Sequence, residues 1–482
     1  MTKSRVSLPV IPYSVSLFQD LLELDDLLLN CQKEFTTAKK SQIVSFSYPI
    51  PAIDPLIIIK TLAKADRLHF FWEKPDNLLS IAAVGHTRSI KLTAADRFVR
   101  GQEFIQNCLD RTVKFGDSDL PISGPLFCCN FTFFSDYHSD RSSFPPGTIF
   151  LPRLQVIRKN DFCLLIVNLL TNEDRENLKN LNKKIRDKIY KIDWKNYKIL
   201  RQTTKIKHNE DRSNFSDEAQ QFKSRVSKAL EAIEREKFTK IVIARTLDIV
   251  SPQTFNLVGS LDNLRSYNPD CYTFSVSNGK GTNFIGASPE RLISIADRQL
   301  ITDTLAGSAP RGKTIAEDRN IADRLLNSEK ELREHEAVRD YIIQSLLKLG
   351  LEPARSTLQL LKLSNIQHLW TPISAKIPTN IDPLDIVAQL HPTPAVAGVP
   401  TAIALQAIKN YETFDRSLYA APIGWIDYSG NSEFIVGIRS ASISGDTARL
   451  YAGNGIVAGS HPDKELAEVQ LKLQSLLKAL VS

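Results

Sequence analysis

From Ser216 to the C-terminus, runs rich in β-branched residues alternate with amphipathic segments, but never in a regular strand–helix–strand rhythm. KIVIARTLDIV (240–250), YTFSVS (272–277), RLISIA (291–296), EFIVGIRSASI (433–443) and ARLYAG (448–453) read as strands. Without that rhythm a doubly wound parallel sheet has no basis, and the pattern predicts an α+β fold of largely antiparallel sheets with helices packed outside. Ser216 is expected to cap a helix with Asp217 and Glu218 in its first turn and Phe222, Val226, Leu230 and Ile233 along its apolar face. One long helix is expected from about Ala316 to Leu349, stopping at Gly350. Another opens near Pro462 and Asp463 and carries the stripe Leu466, Val469, Leu473, Leu476 and Leu480.

Residues 1–205 have a different texture: short strand-like runs such as SIAAVGHT (80–87) and FCLLIVNLL (162–170), with few convergent polar residues. Residues 206–215 are polar and read as a connector to a catalytic part at 216–482. No solenoid repeat is present. A net charge of +7 favours small anions only weakly. No basic stripe carries interleaved aromatics, so nucleic acid is not an expected partner. The stretch from Asn180 to Lys207 is the most basic and reads as a solvated face or connector.

The six cysteines show no CxxC spacing, and adjacent Cys128 and Cys129 lie in the apolar run LFCCNFTFF (126–134), as buried strand residues would. That usage points to a reducing compartment. The opening residues lack a leader-like apolar segment, and the longest apolar run, Phe162 to Leu170, is too short for a bilayer. A cytoplasmic protein without a membrane span is the expectation.

Several groups could carry chemistry. Glu331 and Glu334 are three apart on one helix, and Glu465 and Glu468 repeat the spacing on another, with Lys472 one turn later. Each pair repels itself, a cost that a divalent cation shared between the helices would reverse. Magnesium takes oxygen ligands at about 2.1 Å and keeps places for water or substrate. Taken alone, either pair is more often a solvated acidic face. Lys240 opens an apolar strand, where burial can turn a lysine into a general base. A strand-edge charge in water is the commoner outcome. Glu290 follows the stiff Pro289, so it is either a carboxyl held neutral as a proton donor or an ordinary turn acid paired with Arg291.

Three glycine-bearing loops are read at Gly307–Ser308, at His391–Gly398 around Ala395, and at Gly453–Gly455, where backbone amides could approach an anion. Arg439, expected within a strand, suits a carboxylate clamp or a structural ion pair equally. His368 has no second histidine at metal spacing, which argues against zinc. No GxGxxG or Walker loop supports nucleotide binding.

In order along the chain, KIVIAR, GASPERL, LAGSAPRG, SEKELREHEAV, QHLW, LHPTPAVAG, GWIDYSGNSEFIVGIRSASI and YAGNGIVAGSHPDKELAEVQLK resemble the chorismate-utilising enzymes. The match spans roughly residues 215–482. The resemblance implies one large αββα unit that the first 200 residues join. It implies Lys240 as the base that activates water and Glu290 as the acid that protonates the departing C4 hydroxyl. Glu334 and Glu468 would bind Mg2+ directly, with Glu331 and Glu465 supporting. Arg439, Tyr419, Lys472, Gly453 and Gly455 match positions that hold the substrate carboxylates, and His368, Ser308 and Gly307 lie toward the ring pocket. Enzymes that make anthranilate carry glutamine where Lys240 stands, and Ala395 lies in a loop like that of the isochorismate-forming branch. The resemblance therefore implies a magnesium-dependent isochorismate synthase acting on chorismate, a monomer, whose product feeds a quinone such as menaquinone or phylloquinone. A salicylate synthase, which also eliminates pyruvate, is the second reading. An inactive scaffold relative is the third, and the retained Lys240, Glu290 and four glutamates speak against it.

Overall fold

The structure is a computed structural model. It describes residues 10–11, residues 42–170 apart from 75–78, 94, 117–121, 137–141 and 161, residues 187 and 192, and residues 212–481 apart from 364 and 365.

Two sheets share one long bent pair, β4 (Leu79–Leu92) and β7 (Gly147–Lys159), which stay antiparallel partners through an irregularity between His86 and Arg88. Beyond Leu154, β7 pairs with β8 (Phe162–Leu170), which pairs with β2 (Ile43–Ile50), then β5 (Thr112–Gly116) and the short β1 (Val10–Ile11). On the other side β4 pairs with β3 (His69–Glu73). From there the sheet continues through β10 (Tyr272–Ser277), β11 (Thr282–Ser288), β20 (Ser440–Ser444), β21 (Thr447–Val457), β9 (Lys240–Val250) and β17 (Gly398–Val399).

The second sheet leaves the other half of β7 through β6 (Leu126–Phe131), β18 (Pro422–Asp427), β19 (Ser432–Val436), β12 (Arg291–Ala296) and β13 (Gln299–Pro310). It ends at β16 (Ile366–Lys376), flanked by β14 (Ala354–Arg355) and β15 (Gln359–Lys362). Among the described residues only the pairings of β5 with β1 and β2 are parallel, in keeping with the missing strand–helix–strand rhythm. Pairing of β3 with β10 and of β6 with β18 weaves the described residues up to Leu170 into the same sheets as the rest. One contiguous apolar core runs from Ile43 to Leu480 and includes Cys128 and Cys129.

Helices cover the outside. α1 (Leu56–Leu62) lies on β3 and β4, and α2 (Arg97–Leu109) lies on β4 and β7 and packs against α7 (Pro383–Leu390). α3 (Arg212–Glu234), α8 (Thr401–Tyr411) and α9 (Pro462–Val481) lie against β9 or β21, and α4 (Leu257–Tyr267) lies on β10 and β11 and packs against α9. α5 (Ile315–Leu326) and α6 (Glu329–Lys348) cover β13 and β16. Among the described residues no helix is long and apolar enough to cross a membrane.

Three local expectations are corrected. The helix opening at Ser216 begins at Arg212 instead, so residues 212–215 of the expected connector are helical. The helix expected from Ala316 to Leu349 is two: α5 ends at Leu326, and Ser328 starts α6 by accepting a hydrogen bond from the Glu331 N–H. The serine three residues before Glu331 is the capping signal that the longer periodicity obscured. The strand expected at 433–443 breaks after Val436, because Arg439 adopts a positive φ of 50°. Almost all of the basic stretch at 180–207 lies outside the described residues, as do Cys31 and residues 206–211 of the connector.

Candidate active site

Lys240 opens β9 with its side chain 5% exposed, and its Nζ lies 2.7 Å from Oε1 of Glu334 on α6. The strand start fixes it from both flanks: Lys240 is in register with Val457 of β21 and Val399 of β17. A lysine this deep in the fold is held by a carboxylate, as buried charges require.

Glu290 lies between β11 and β12, 8% exposed, with its carbonyl accepting from the Val436 N–H. Burial pushes its carboxyl up to about 7. Asp303 adds to the rise, and nearby Lys240 and Arg439 pull against it. Glu290 therefore faces a lysine and an arginine and still keeps its proton into the neutral range. It is not paired with Arg291, whose guanidinium makes a two-pronged contact with Asp303 at 2.9 Å on each arm.

The two acidic pairs converge from α6 and α9. Burial, then Glu334, lifts the Glu331 carboxyl above its ordinary value, and Glu468 on the other helix adds to the rise. Glu331 accepts from the Ser308 N–H at 3.3 Å. Burial and then Glu468 raise Glu465. Burial alone would raise Glu468 too, but Lys472, at 3.0 Å, and Asn454 together hold it below the usual range. The Asn454 amide donates to both Glu465 and Glu468. Among the described residues no three carboxylates, imidazoles or thiolates stand together as a finished ligand set. The chemistry nevertheless suits a hard cation: all donors are carboxylate oxygens, and they repel one another across two helices.

The residues expected on the substrate side sit around these charges. A cavity of about 320 Å³ is bordered by Ser308, Arg439, Glu468 and Lys472, with Ala287 and Leu476 on its apolar side. Lys240 and Glu290 do not border it. Ser308 and His368 are register partners across β13 and β16. Burial, reinforced by Arg439 and Lys472, pushes His368 down to about 3, and its Nε2 is buried without a hydrogen-bond partner. Tyr419 is buried and stacks on Tyr451 with centroids 5.4 Å apart. Ala395 is half-buried in a loop tied to β9 where the Val242 N–H donates to the Ala397 carbonyl.

The glycines correct a second set of expectations. Gly307, Gly453 and Gly455 lie within strands, not loops. Gly307 has a φ of +80° at the register shift of β13, a conformation that favours glycine. A Cβ on Gly453 would come 2.9 Å from the Tyr419 hydroxyl, and one on Gly455 would come 3.1 Å from Lys240 Cε. These two glycines make room for neighbouring side chains.

Sequence reasoning missed two parts. Asn454 was read only as part of a backbone turn, and an amide between two glycines beside an acidic helix is the signal that could have marked it. The fully buried Arg416 pairs with Glu412 at 2.7 Å and donates to the carbonyls of Val396 and Val242, while Glu412 accepts from the Ala244 N–H. That clamp ties the Ala395 loop to β9. Its members are four apart on the sequence, but their partners are distant, so periodicity does not reveal them.

A family model described as chorismate binding enzyme matches residues 28–481. The chain is 32% identical over 457 residues to the isochorismate synthase MenF of Bacillus subtilis, covering 91% of this chain and 93% of that protein. It is 30% identical over 458 residues to the salicylate biosynthesis isochorismate synthase of Pseudomonas aeruginosa, covering 91% and 90%. Among solved structures it is similar to the menaquinone-specific isochorismate synthase of Escherichia coli, with a TM-score of 0.73 at 25% identity, over 95% of this chain and 100% of that one.

Proposed function

The chain belongs to the chorismate-binding enzyme family, and on that premise we propose that it converts chorismate to isochorismate with the help of Mg2+. The observation that carries the reading is Glu290, a buried carboxyl raised to about 7 that feels both Lys240 and Arg439. An acid that keeps its proton near neutrality beside a lysine suits a reaction in which one group takes a proton as another gives one. The names of the relatives favour the same activity.

Glu331, Glu334, Glu465 and Glu468 are the residues that would hold magnesium, which when bound would draw electron density out of the ring through its carboxylate. Lys240 takes a proton from water as the water oxygen bonds to C2. The ring double bonds shift, and the C4 hydroxyl leaves as water with the proton of Glu290. One hydroxyl enters and one departs, so the product is an isomer. For Lys240 to act as a base, Glu334 must turn its charge elsewhere, because at 2.7 Å it favours the ammonium. A share in cation binding would do that. Arg439 and Lys472, at the rim of the 320 Å³ cavity, supply charge for the two substrate carboxylates. The partly buried site around them limits water, which a reaction with a chosen hydroxyl requires.

The test is incubation of the purified protein with chorismate, with and without magnesium, and separation of the products by liquid chromatography. Isochorismate formed only with magnesium, and without pyruvate, is the expected result. Salicylate with pyruvate would replace the reading by a salicylate synthase. A folded protein with no turnover would overturn both. A use of the product in quinone synthesis is part of the proposal, supported by the menaquinone-specific name of the similar solved enzyme.

A further inference from the structure

A second cavity, of about 450 Å³, lies between α1 with the turn that follows it and the N-terminus of α4, and it shares no lining residue with the first. Cavities of roughly 300–1,000 Å³ are the size that small ligands fill.

Its walls are of two kinds. Ile59, Phe255 and Leu257 offer apolar surface. Lys60, in the last turn of α1, and Lys64, two residues beyond the end of that helix, offer cations, and among the described residues neither has a carboxylate partner. The α4 N-terminus adds backbone donors. Asn256 caps the Gly259 N–H at 3.1 Å, which leaves the first two amides of the helix, at Leu257 and Val258, for another acceptor.

The base of the cavity carries an independent signal. His69 borders it with only 3% of its surface exposed, and neither ring nitrogen has a hydrogen-bond partner. Burial holds the ring down at about 4, against weak hydrogen bonding from the Arg67 backbone and the Asn283 side chain that falls short of a well-formed bond. The Asn283 carbonyl oxygen, also on the wall, is likewise unpartnered. A buried imidazole without a well-formed hydrogen bond is destabilising. A site that regularly holds a polar ligand recovers that cost.

We propose that this cavity is a second ligand site that takes a small organic acid, its carboxylate at the N-terminus of α4 with Lys60 and Lys64 and its apolar ring or chain against Ile59 and Phe255. An anion at a helix N-terminus meets both the helix dipole and the free amides. The neutral His69 ring, with one donor and one acceptor, suits a hydroxyl or carboxyl of the same ligand.

The test uses the full-length protein and benzoate as probe, with isothermal titration calorimetry. The wild type should bind benzoate saturably, one to one. Lys60→Glu with Lys64→Glu should weaken that binding at least tenfold. Val258→Asp, which sets a carboxylate beside the free amides where the helix tolerates it, should abolish it. Both variants should keep the wild-type melting temperature and chorismate affinity. Absence of saturable binding to the wild type, at concentrations up to the millimolar range, would overturn the proposal. Equal binding by all three folded proteins would also overturn it, since the probe would then sit in the first cavity.

Discussion

Glu331 and Glu334 lie near the start of α6, Glu465 and Glu468 near the start of α9, each pair three residues apart, but the cations that answer them come from different places. Lys240 reaches Glu334 from the neighbouring sheet, with side chains 5% and 17% exposed. Lys472 reaches Glu468 from one turn along the same helix, with side chains 28% and 42% exposed. An i,i+4 pair at a surface is worth a few tenths of a kcal/mol and asks nothing of the fold. A lysine carried across elements into a dry site pays in desolvation, and a fold keeps such a group where chemistry needs it. In the proposed reaction one motif would therefore serve two tasks: the α6 pair would face the proton transfer, and the α9 pair the rim where substrate charge is met.

The sharpest way to break this comparison is Lys240→Ala. If Lys240 is the base, kcat falls by about 10³-fold, within the range general base catalysis supplies. Lys240→Arg keeps the charge on Glu334 but cannot release a proton at neutral pH, so it should fail almost as completely. Turnover by the arginine variant within tenfold of wild type would reduce Lys240 to a counter-ion for Glu334.

Next in size is Glu290→Gln, with an expected loss of about 10²-fold in kcat, since the amide cannot protonate the leaving hydroxyl. In the wild type the acid form is lost as pH rises through about 7, so kcat should decline on that limb. The stability of the fold runs the same way. The folded pKa lies above the unfolded one, so the contribution is complete below about 4.5 and lost as pH climbs through about 7. The loss is on the order of 3 kcal/mol. Glu290→Gln should flatten that slope in denaturation midpoints taken from pH 5 to 8. An unchanged slope would show that Glu290 ionises like an exposed carboxyl.

How much of this was legible beforehand follows from what each signal depends on. Strands such as 240–250 and 291–296 were readable because β-branched runs determine strands locally. The acidic pairs were readable as spacing, and the order of eight segments along the chain, from KIVIAR to YAGNGIVAGSHPDKELAEVQLK, carried the family. What spacing could not give was the partner. Nothing near Lys240 in sequence points to Glu334, which lies 94 residues away. Arg291 looked like the natural mate of Glu290 and instead takes Asp303, because β12 and β13 form a hairpin that brings the two together. Gly453 and Gly455 looked like a turn because the side chains that need their missing Cβ atoms, Tyr419 and Lys240, come from elsewhere. Arg439 looked like a strand residue because its neighbours are β-branched, and its φ of 50° is set by the junction between β19 and β20.

Lys472→Ala should have a smaller effect on catalysis. Lys472 borders the 320 Å³ cavity and also donates to the Gly453 carbonyl at 3.1 Å. Removing it takes one charge from the substrate side and leaves Lys240 and Glu290 in place. KM for chorismate should rise about tenfold, near 1.4 kcal/mol, with kcat little changed. A fall in kcat with an unaltered KM would place Lys472 in the proton-transfer step and erase the distinction between the two helices.

The smallest difference is in stability, and it separates the two ion pairs without reference to turnover. Lys472→Ala should cost about 0.5 kcal/mol, because Glu468 is 42% exposed and keeps the Asn454 amide at 2.9 Å. Lys240→Ala leaves Glu334 mostly buried, beside Glu331 and without its cation, and should cost about 2–3 kcal/mol, somewhat under the figure for a fully buried pair. Urea midpoints of both variants in magnesium-free buffer measure this directly. Added magnesium should then narrow the gap, since a cation on the glutamates replaces the charge that Lys240 took away. Equal costs for the two variants, with no response to magnesium, would mean that the carboxylates of α6 and α9 share one environment and that the contrast drawn from their geometry does not reach their energetics.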